Sequence, residues 1–154
     1  MKMYLAAPVV TDENTKSLVT QVYEKLIHTP YPEINNVFRP GMHKVPNEWG
    51  ITMEMWGQCV FTMDVINLDD SDWVVLCNFG RKGQSAGTAW ECGYAFAKGK
   101  KILVVNMPGS EKDTSLMING CAANIINYEE FMKMNDLSSM FIERGKLQAK
   151  TTLN

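Results

Sequence analysis

Two apolar runs without a charged side chain constrain the fold of this chain most strongly. Residues 73–77 (Trp-Val-Val-Leu-Cys) and 102–105 (Ile-Leu-Val-Val) lack the polar–apolar alternation that is typical of a strand with one face in water. Runs of this kind predict strands that are covered on both faces. Such strands occur in parallel sheets, because the connections between parallel strands place helices against the sheet.

The remaining segments alternate between strand-like and helix-like patterns. Further strands are predicted at 2–7, 37–38 and 124–127, and helices at about 12–29, 52–68, 87–98, 114–120 and 128–141. This alternation predicts an α/β fold, a doubly wound five-stranded parallel sheet with helices on both faces, of the flavodoxin-like or Rossmann-like kind. Residues 1–144 are expected to form one domain, and 145–154 a polar tail.

Composition argues against several classes of function. A formal net charge of −2 over 154 residues provides no basic surface for nucleic acid, and no apolar run has the length of a membrane span. No signal peptide is evident, so we expect a cytoplasmic protein. Cys59, Cys77, Cys92 and Cys121 are widely spaced in apolar surroundings, which predicts free thiols in the core and no zinc or other metal site.

Ligands of such sheets bind beyond the carboxyl ends of the strands. Here those ends lie at 4–8, 39–49, 78–91 and 106–115. The segment 83–91 holds two glycines and a serine and then opens a helix, a combination that favours an anion site. It matches neither the P-loop nor the G-x-G-x-x-G pattern, so a nucleoside triphosphate or a dinucleotide is not the expected ligand.

Two acidic residues stand in apolar surroundings. Glu91 lies between Trp90 and Cys92 at the ligand end of the sheet, although acids are also common in the first turns of a helix because its dipole favours them. Asp64 lies within an apolar helical stretch, where it either faces solvent or is held near a site.

Other polar residues carry weaker signals. The cluster of Asp69, Asp70 and Asp72 is interpreted as a solvated turn. His28, at a helix end, is expected to be structural because a cation complements the dipole there. His43 lies in a loop near the ligand end, and its role stays open.

Three ordered motifs resemble the nucleoside 2-deoxyribosyltransferase family. They are Tyr4-Leu-Ala-Ala-Pro8, Asp64-x-x-x-Leu68-x-x-Ser71-Asp72, and Ser85-x-Gly87-Thr88-x-x-Glu91-x-Gly93-Tyr94. The resemblance implies that Glu91 attacks the anomeric carbon of a nucleoside, that Tyr4 positions Glu91, and that Asp64 binds and protonates the leaving base. It implies no cofactor, and a small-molecule nucleoside or nucleotide as substrate.

Departures from the transferase pattern indicate a branch of the family. Ser85 replaces an aspartate that holds the sugar hydroxyls, and Ser115 replaces an asparagine supplied by a neighbouring subunit. Serines at both positions resemble the deoxynucleoside 5′-phosphate N-hydrolases and CMP N-glycosidases, since a hydroxyl binds a phosphate that a carboxylate would repel.

The same resemblance indicates further contacts with the substrate. Gly87, Trp49 and the strand end Ala7-Pro8 are expected to line the substrate site. That branch often has serine or arginine just after the first strand, where this chain has Ala7-Pro8-Val9-Val10. A phosphate would therefore rely on the two serines, on backbone N–H groups, and on a cation from among Arg39, Lys44 and Arg81.

Several alternatives remain open at this point. The sugar passes to water or to a second base, and a transferase acting on unphosphorylated deoxynucleosides is the nearest alternative. A non-catalytic nucleotide-binding module is an alternative of another class, because a fold does not determine a function. A flavodoxin-like electron carrier is disfavoured, since no phosphate loop follows the first strand. The Ser115 position and the surplus of apolar residues, with eleven methionines and four tryptophans, predict a homo-oligomer.

Overall fold

The computed structural model describes residues 1–10, 12–43, 45 and 50–142. Five parallel strands form one sheet in the order β2-β1-β3-β4-β5. They are β1 (Lys2–Ala6), β2 (Asn36–Phe38), β3 (Trp73–Asn78), β4 (Lys101–Asn106) and β5 (Asn124–Asn127). The helices are α1 (Glu13–His28), α2 (Met53–Asp70), α3 (Gly80–Gly83), α4 (Ala86–Ala97), α5 (Leu116–Cys121) and α6 (Tyr128–Lys133). The predicted α/β fold is confirmed.

Two apolar layers cover the two faces of the sheet. Because successive side chains of a strand point to opposite faces, β1 sends Met3 and Leu5 to one layer and Tyr4 and Ala6 to the other. Helices α1 and α6 complete the first, here called the α1 layer. Helices α4 and α5 and the end of α2 complete the second, the α4 layer.

The strand order places a crevice at β1. This strand pairs with β2 on one side and β3 on the other, so the connections that leave β1 and β3 run to opposite faces of the sheet. Loops that diverge in this way leave an open space above the strand ends, where ligands of doubly wound sheets bind. Tyr4 lies in the middle of β1, paired with Phe38 and Val74.

The region after β5 differs from the prediction. The helix expected over 128–141 ends at Lys133, and only a 3-10 turn follows, at Ser138–Met140. Tertiary hydrogen bonds account for the difference, because the Leu137 N–H donates to the Tyr31 carbonyl and the Asn124 amide donates to the Met140 carbonyl. The loop expected over 78–85 also contains one helical turn, α3. The tail over 145–154 lies outside the described residues.

Helix α2 is the main exception to the predicted core. Only Leu68 of its 18 residues is buried, although ten of them are hydrophobic. Cys59 is therefore exposed, and its prediction as a core residue is wrong. Cys77 and Cys92 are buried as expected, and Cys121 is partly buried. In the described ranges, no helix is both long and apolar enough to cross a membrane.

The predicted solvated turn of aspartates is also wrong in part. Asp69 and Asp70 belong to the last turn of α2, and both are paired. The Tyr94 hydroxyl donates to the Asp69 carboxylate at 3.0 Å, while the Lys2 ammonium lies 2.7 Å from Asp70. These contacts tie the end of α2 to α4 and β1. His28, by contrast, lies in the last turn of α1 with Nδ1 against the Glu24 carbonyl, as a structural residue would.

Candidate active site

A hydrogen bond between β1 and α4 lies at the centre of the site. The Tyr4 hydroxyl donates to Oε1 of Glu91 at 2.8 Å. Tyr4 is fully buried, because β1 runs through the middle of the sheet and its side chain points into the α4 layer. Burial and the nearby carboxylates of Glu91 and Asp64 raise the pKa of the Tyr4 hydroxyl, so it stays protonated as a donor.

The second carboxylate oxygen of Glu91, Oε2, is buried. It accepts no hydrogen bond from the residues that the structure describes. Burial raises the pKa of Glu91 to about 7, against the lowering effect of the Tyr4 hydrogen bond. An unpaired buried carboxylate oxygen costs stability, and such groups concentrate at functional sites.

The helix-dipole explanation for Glu91 does not fit the structure. Ser85 is the N-cap of α4, and the first turn of this helix contains no acidic residue. Glu91 lies in the second turn, whereas the interaction with the dipole declines within the first. A different reason for an acid at this position is therefore required.

Asp64, on α2, is the second acidic residue of the candidate site. Its Oδ1 atom is buried and has no hydrogen-bond partner among the described residues, although the side chain as a whole is only partly buried. Burial raises the pKa of Asp64. The Asp64 charge in turn raises the pKa values of both Glu91 and Tyr4, as expected for acidic groups that share one site.

The two predicted serines cap helices. The Ser85 hydroxyl accepts from the Thr88 N–H at 3.1 Å and lies 2.7 Å from the Thr88 hydroxyl, at the start of the helix that carries Glu91. Ser115 caps α5 in the same way, accepting from the Met117 N–H at 3.3 Å. Gly87 is exposed in the first turn of α4. All three residues lie on connections beyond the carboxyl ends of β3 and β4.

The sequence interpretation missed a buried polar network at these strand ends. Asn78 closes β3 and donates from its side-chain amide to Asn106 Oδ1, at the end of β4, and to the Thr114 hydroxyl, both at 2.8 Å. The Ser110 hydroxyl contacts the Asn78 carbonyl at 2.7 Å. This network fixes the chain that leads to Ser115. A polar residue that ends an otherwise apolar strand was the available signal.

Two further features border the site. His43 stacks on Phe38 with ring centroids 5.1 Å apart, and Phe38 in turn lies 5.4 Å from the ring of Tyr4. Gln84, just before the cap of α4, has a buried side-chain amide whose two polar atoms find no hydrogen-bond partner among the described residues. The sequence placed His43 near the ligand end without a role, and it gave no signal for Gln84.

The remaining predicted contacts lie beyond the ends of β1, β2 and β3. Ala7 and Pro8 are buried and continue the strand past Tyr4. Arg39 follows β2 and donates to the Thr20 hydroxyl at 3.1 Å. Arg81 is paired with Asp113, whose Oδ1 lies 2.7 Å from the guanidinium. Trp49 and Lys44 lie outside the described residues.

The arrangement supplies two chemical functions on two carboxyl groups that interact electrostatically. Glu91 offers an oriented carboxylate oxygen that can attack an electrophilic carbon, and Asp64 offers a carboxyl that can hold a proton. Enzymes that cleave glycosidic bonds usually use two carboxyl groups in different environments.

Comparison with known proteins identifies the family. The profile described as nucleoside 2-deoxyribosyltransferase matches residues 3–137, most of the chain. The chain belongs to the nucleoside 2-deoxyribosyltransferase family. It is therefore a member of an enzyme family, that of the nucleoside 2-deoxyribosyltransferases. No curated protein sequence matches it.

Solved structures agree with the fold of this family member. A 2-deoxyribosyltransferase from Bacillus psychrosaccharolyticus is 24% identical, with a TM-score of 0.69 over 93% of this chain and 98% of that one. The CMP N-glycosidase BcmB of Clostridium botulinum is 19% identical, with a TM-score of 0.57 over 86% of this chain and 94% of that one. A conserved protein from Enterococcus faecalis is 15% identical, with a TM-score of 0.65 over 87% and 96% of the two chains.

Proposed function

We propose that this protein cleaves the N-glycosidic bond of 2′-deoxynucleosides or their 5′-monophosphates through a covalent glycosyl-Glu91 intermediate, with the 5′-monophosphates favoured. The observation that carries the proposal is the state of the Glu91 carboxylate. One oxygen accepts a hydrogen bond from Tyr4, and the other is buried and has no partner in the described part of the chain. A nucleophile needs such an oxygen, fixed in direction and not engaged by a hydrogen-bond donor.

The two carboxyl groups have different hydrogen-bond partners. Glu91 accepts a hydrogen bond from Tyr4, and this favours its ionised form, although burial raises its pKa to about 7. Among the described residues Asp64 has no donor at its buried oxygen, and burial raises its pKa. The proposed reaction uses the ionised form of Glu91, which is populated near neutral pH, as the nucleophile, and assigns the protonated form to Asp64.

The reaction has two steps. Oε2 of Glu91 forms a bond to C1′ while the bond from C1′ to the base nitrogen breaks, and the departing base takes its proton from Asp64. Water or a second base then attacks C1′ and releases the Glu91 carboxylate, and Asp64 accepts the proton lost by the attacking molecule. A 2′-hydroxyl withdraws electrons from the cationic transition state, so deoxy substrates react faster.

A 5′-monophosphate preference is supported by two neutral residues. Ser85 and Ser115 stand where a carboxylate and a carboxamide are expected in relatives that act on free nucleosides. A carboxylate beside a phosphate dianion would repel it, whereas a hydroxyl can donate a hydrogen bond to it. Among the described residues the Ser115 hydroxyl has no acceptor, so its proton is available.

The proposed active unit is a homo-oligomer of this chain. Helix α2 exposes apolar side chains around its surface, including Met53 at 80%. Next to Ser115, Leu116 and Met117 are 86% and 81% exposed, and Trp90 beside Glu91 is 45% exposed. A helix that is apolar on all sides is normally buried, and exposed patches of this kind mark interfaces. A second copy of this chain would cover these side chains with the same apolar surface of its own.

Incubation with a matched panel of substrates tests the proposal. Purified protein is incubated with each deoxynucleoside and its 5′-monophosphate, with and without an acceptor base, and products are separated by chromatography. We expect release of the free base, faster from the monophosphates. Acceptor-dependent formation of a new nucleoside or nucleotide distinguishes transfer from hydrolysis.

Glu91→Ala and Glu91→Gln are the decisive variants. Each should lower base release by several orders of magnitude, of the kind seen when a nucleophile is removed. Unfolding curves show whether the variants remain folded. Near-normal turnover by a folded Glu91→Ala protein would eliminate the mechanism, and binding without any base release by the wild type would favour the nucleotide-binding module.

A further inference from the structure

A small cavity opens at the end of β1 on the α1 side of the sheet. Its volume is about 160 Å³, and the chain end Ala7–Val10, the turn after β2 and the start of α1 form its walls. This volume is below the range of about 300 to 1,000 Å³ that encloses a whole small molecule. The cavity therefore fits a single group of a larger ligand.

The charges of the cavity wall have one sign. Arg39 and Lys16 both line it, and none of the described lining residues is acidic. Lys16 contacts Glu13 at 2.8 Å, but Glu13 is almost fully exposed, and exposed pairs of this kind are weak. Asp12 is turned to the backbone of α1, where it accepts from the Thr15 N–H. The cavity consequently favours an anion.

Arg39 is held in position but left largely unsatisfied. Its Nη1 donates to the Thr20 hydroxyl at 3.1 Å, and that hydroxyl donates onward to the Lys16 carbonyl at 2.8 Å. No carboxylate in the described part of the chain pairs with Arg39, and its other N–H donors have no acceptor there. A guanidinium presents five donors in a planar fork that suits phosphate. Arg81 differs, because Asp113 already occupies it.

The position of the cavity connects it to the proposed reaction. Ala7 and Pro8 line the cavity and continue the strand whose Tyr4 holds Glu91. The cavity lies at the end of β1 on the α1 side of the sheet, and the Tyr4–Glu91 pair lies on the α4 side of the same strand. A substrate lying across that end would place its sugar at Glu91 and a terminal group at Arg39.

We propose that this cavity is the phosphate subsite, in which Arg39, supported by Lys16, binds the 5′-phosphate of the nucleotide substrate in addition to the hydroxyls of Ser85 and Ser115. The proposal rests on the proposed function and specifies how this chain recognises phosphate without a serine or arginine directly after β1. Thr20 is a positioning residue, since it acts only through Arg39.

Steady-state kinetics of Arg39→Gln test the subsite. KM for a deoxynucleoside 5′-monophosphate should rise about tenfold to a hundredfold, the range for losing a charge-assisted contact. The kinetic constants for the unphosphorylated deoxynucleoside should change less than about twofold, because this substrate has no phosphate that could contact Arg39. Arg39→Lys should recover part of the loss, because it restores the charge without the fork. Lys133→Gln on α6 is the control for removing one exposed positive charge.

Thr20 variants provide an independent test. Thr20→Val removes the hydroxyl that orients Arg39 and should raise KM for the monophosphate while leaving kcat for the nucleoside unchanged. Thr20→Ser keeps the hydroxyl and should restore the wild-type value. An equal effect of Arg39→Gln on phosphorylated and unphosphorylated substrates would mean that Arg39 is structural, and the proposal would be wrong.

Binding measurements separate this proposal from the proposed function. Calorimetry with 2-deoxyribose 5-phosphate, inorganic phosphate and 2-deoxyribose should show Arg39-dependent binding of 2-deoxyribose 5-phosphate even if no base is ever released. Such binding without turnover would overturn the reaction but support the subsite. Binding of inorganic phosphate that depends on Arg39, together with an unchanged KM for the monophosphate in Arg39→Gln, would show a separate phosphate site and overturn the subsite.

Discussion

Replacing Glu91 by glutamine should change how the stability of the protein depends on pH. Glutamine has nearly the same shape as glutamate and keeps a carbonyl oxygen that can accept the hydrogen bond from Tyr4, which is 2.8 Å from Glu91 in the wild type. It cannot ionise. The difference between the two proteins therefore isolates the free energy of burying the Glu91 charge.

The size and sign of the effect follow from the raised pKa. The Glu91 carboxyl has a pKa of about 7 in the fold and an ordinary value of 4.5. Each tenfold difference in proton affinity corresponds to about 1.4 kcal/mol, so ionised Glu91 destabilises the fold by about 3 kcal/mol. Since the folded pKa is the higher one, the folded protein binds the extra proton between these two values. The wild type should therefore lose stability relative to Glu91→Gln as pH rises from 4.5 to about 7.

Urea unfolding of both proteins at several pH values measures this difference. The free energy of unfolding of Glu91→Gln minus that of the wild type should grow by about 3 kcal/mol across the window and then remain constant. Glu130→Gln removes an exposed carboxylate from α6 and serves as the matched control. A Glu91→Gln difference that does not vary with pH would refute the assignment of Glu91 as a buried, poorly solvated carboxylate.

Three further predictions concern activity and assembly. Tyr4→Phe removes the hydrogen bond that lowers the pKa of Glu91. The acid limb of the profile of kcat/KM against pH should therefore move to higher pH. An unshifted limb would contradict the role of Tyr4. Asp64→Asn should slow the release of ordinary bases severely. It should hardly affect the release of an N7-methylated purine, because that base departs in neutral form without taking up a proton. Equal losses for both substrates would argue against proton donation by Asp64. Light scattering at assay concentration should find an oligomer, and a charge placed at the exposed Met117 should dissociate it; an active monomer would refute this.

The fold could be predicted from the sequence because local patterns dominate it. The apolar runs of β3 and β4 are stable only when both of their faces are buried. This requirement predicts a parallel sheet with helices on both faces. The end of the chain was harder to predict, because α6 stops where the Leu137 N–H bonds to Tyr31, about a hundred residues away. No local pattern encodes such a contact. Helix α2 was placed correctly but assigned too many buried residues, since its apolar side chains indicate burial without specifying the partner.

The candidate site was predictable to a different degree. The order of the motifs led to Tyr4, Asp64 and Glu91, and the structure brings the three together. Residue type and spacing could not distinguish a solvated Asp64 from a partly buried one, because that depends on how α2 packs. Nor could they show that Thr20 orients Arg39 while Asp113 engages Arg81. The availability of a cation is a property of its three-dimensional neighbours.

Ser85→Asp separates the two substrate classes because the structure allows the substitution without damage to α4. Ser85 accepts from the Thr88 N–H as an N-cap, and aspartate is an equally good N-cap residue. A new carboxylate near a phosphate dianion should lower kcat/KM for the monophosphate by the order of a hundredfold, given a repulsion of a few kcal/mol at short range. Turnover of the free deoxynucleoside should be maintained or improved.

Ser85→Asn is the control for this change, since asparagine has the same shape as aspartate, caps helices well and carries no charge. Its ratio of monophosphate to nucleoside turnover should stay close to that of the wild type. Parallel assays of the three proteins on both substrates decide the question. If the wild type prefers the free nucleoside and Ser85→Asp leaves the ratio unchanged, the phosphate does not lie near Ser85. The protein would then be a nucleoside transferase, and the neutral residue at the cap of α4 would serve the helix alone.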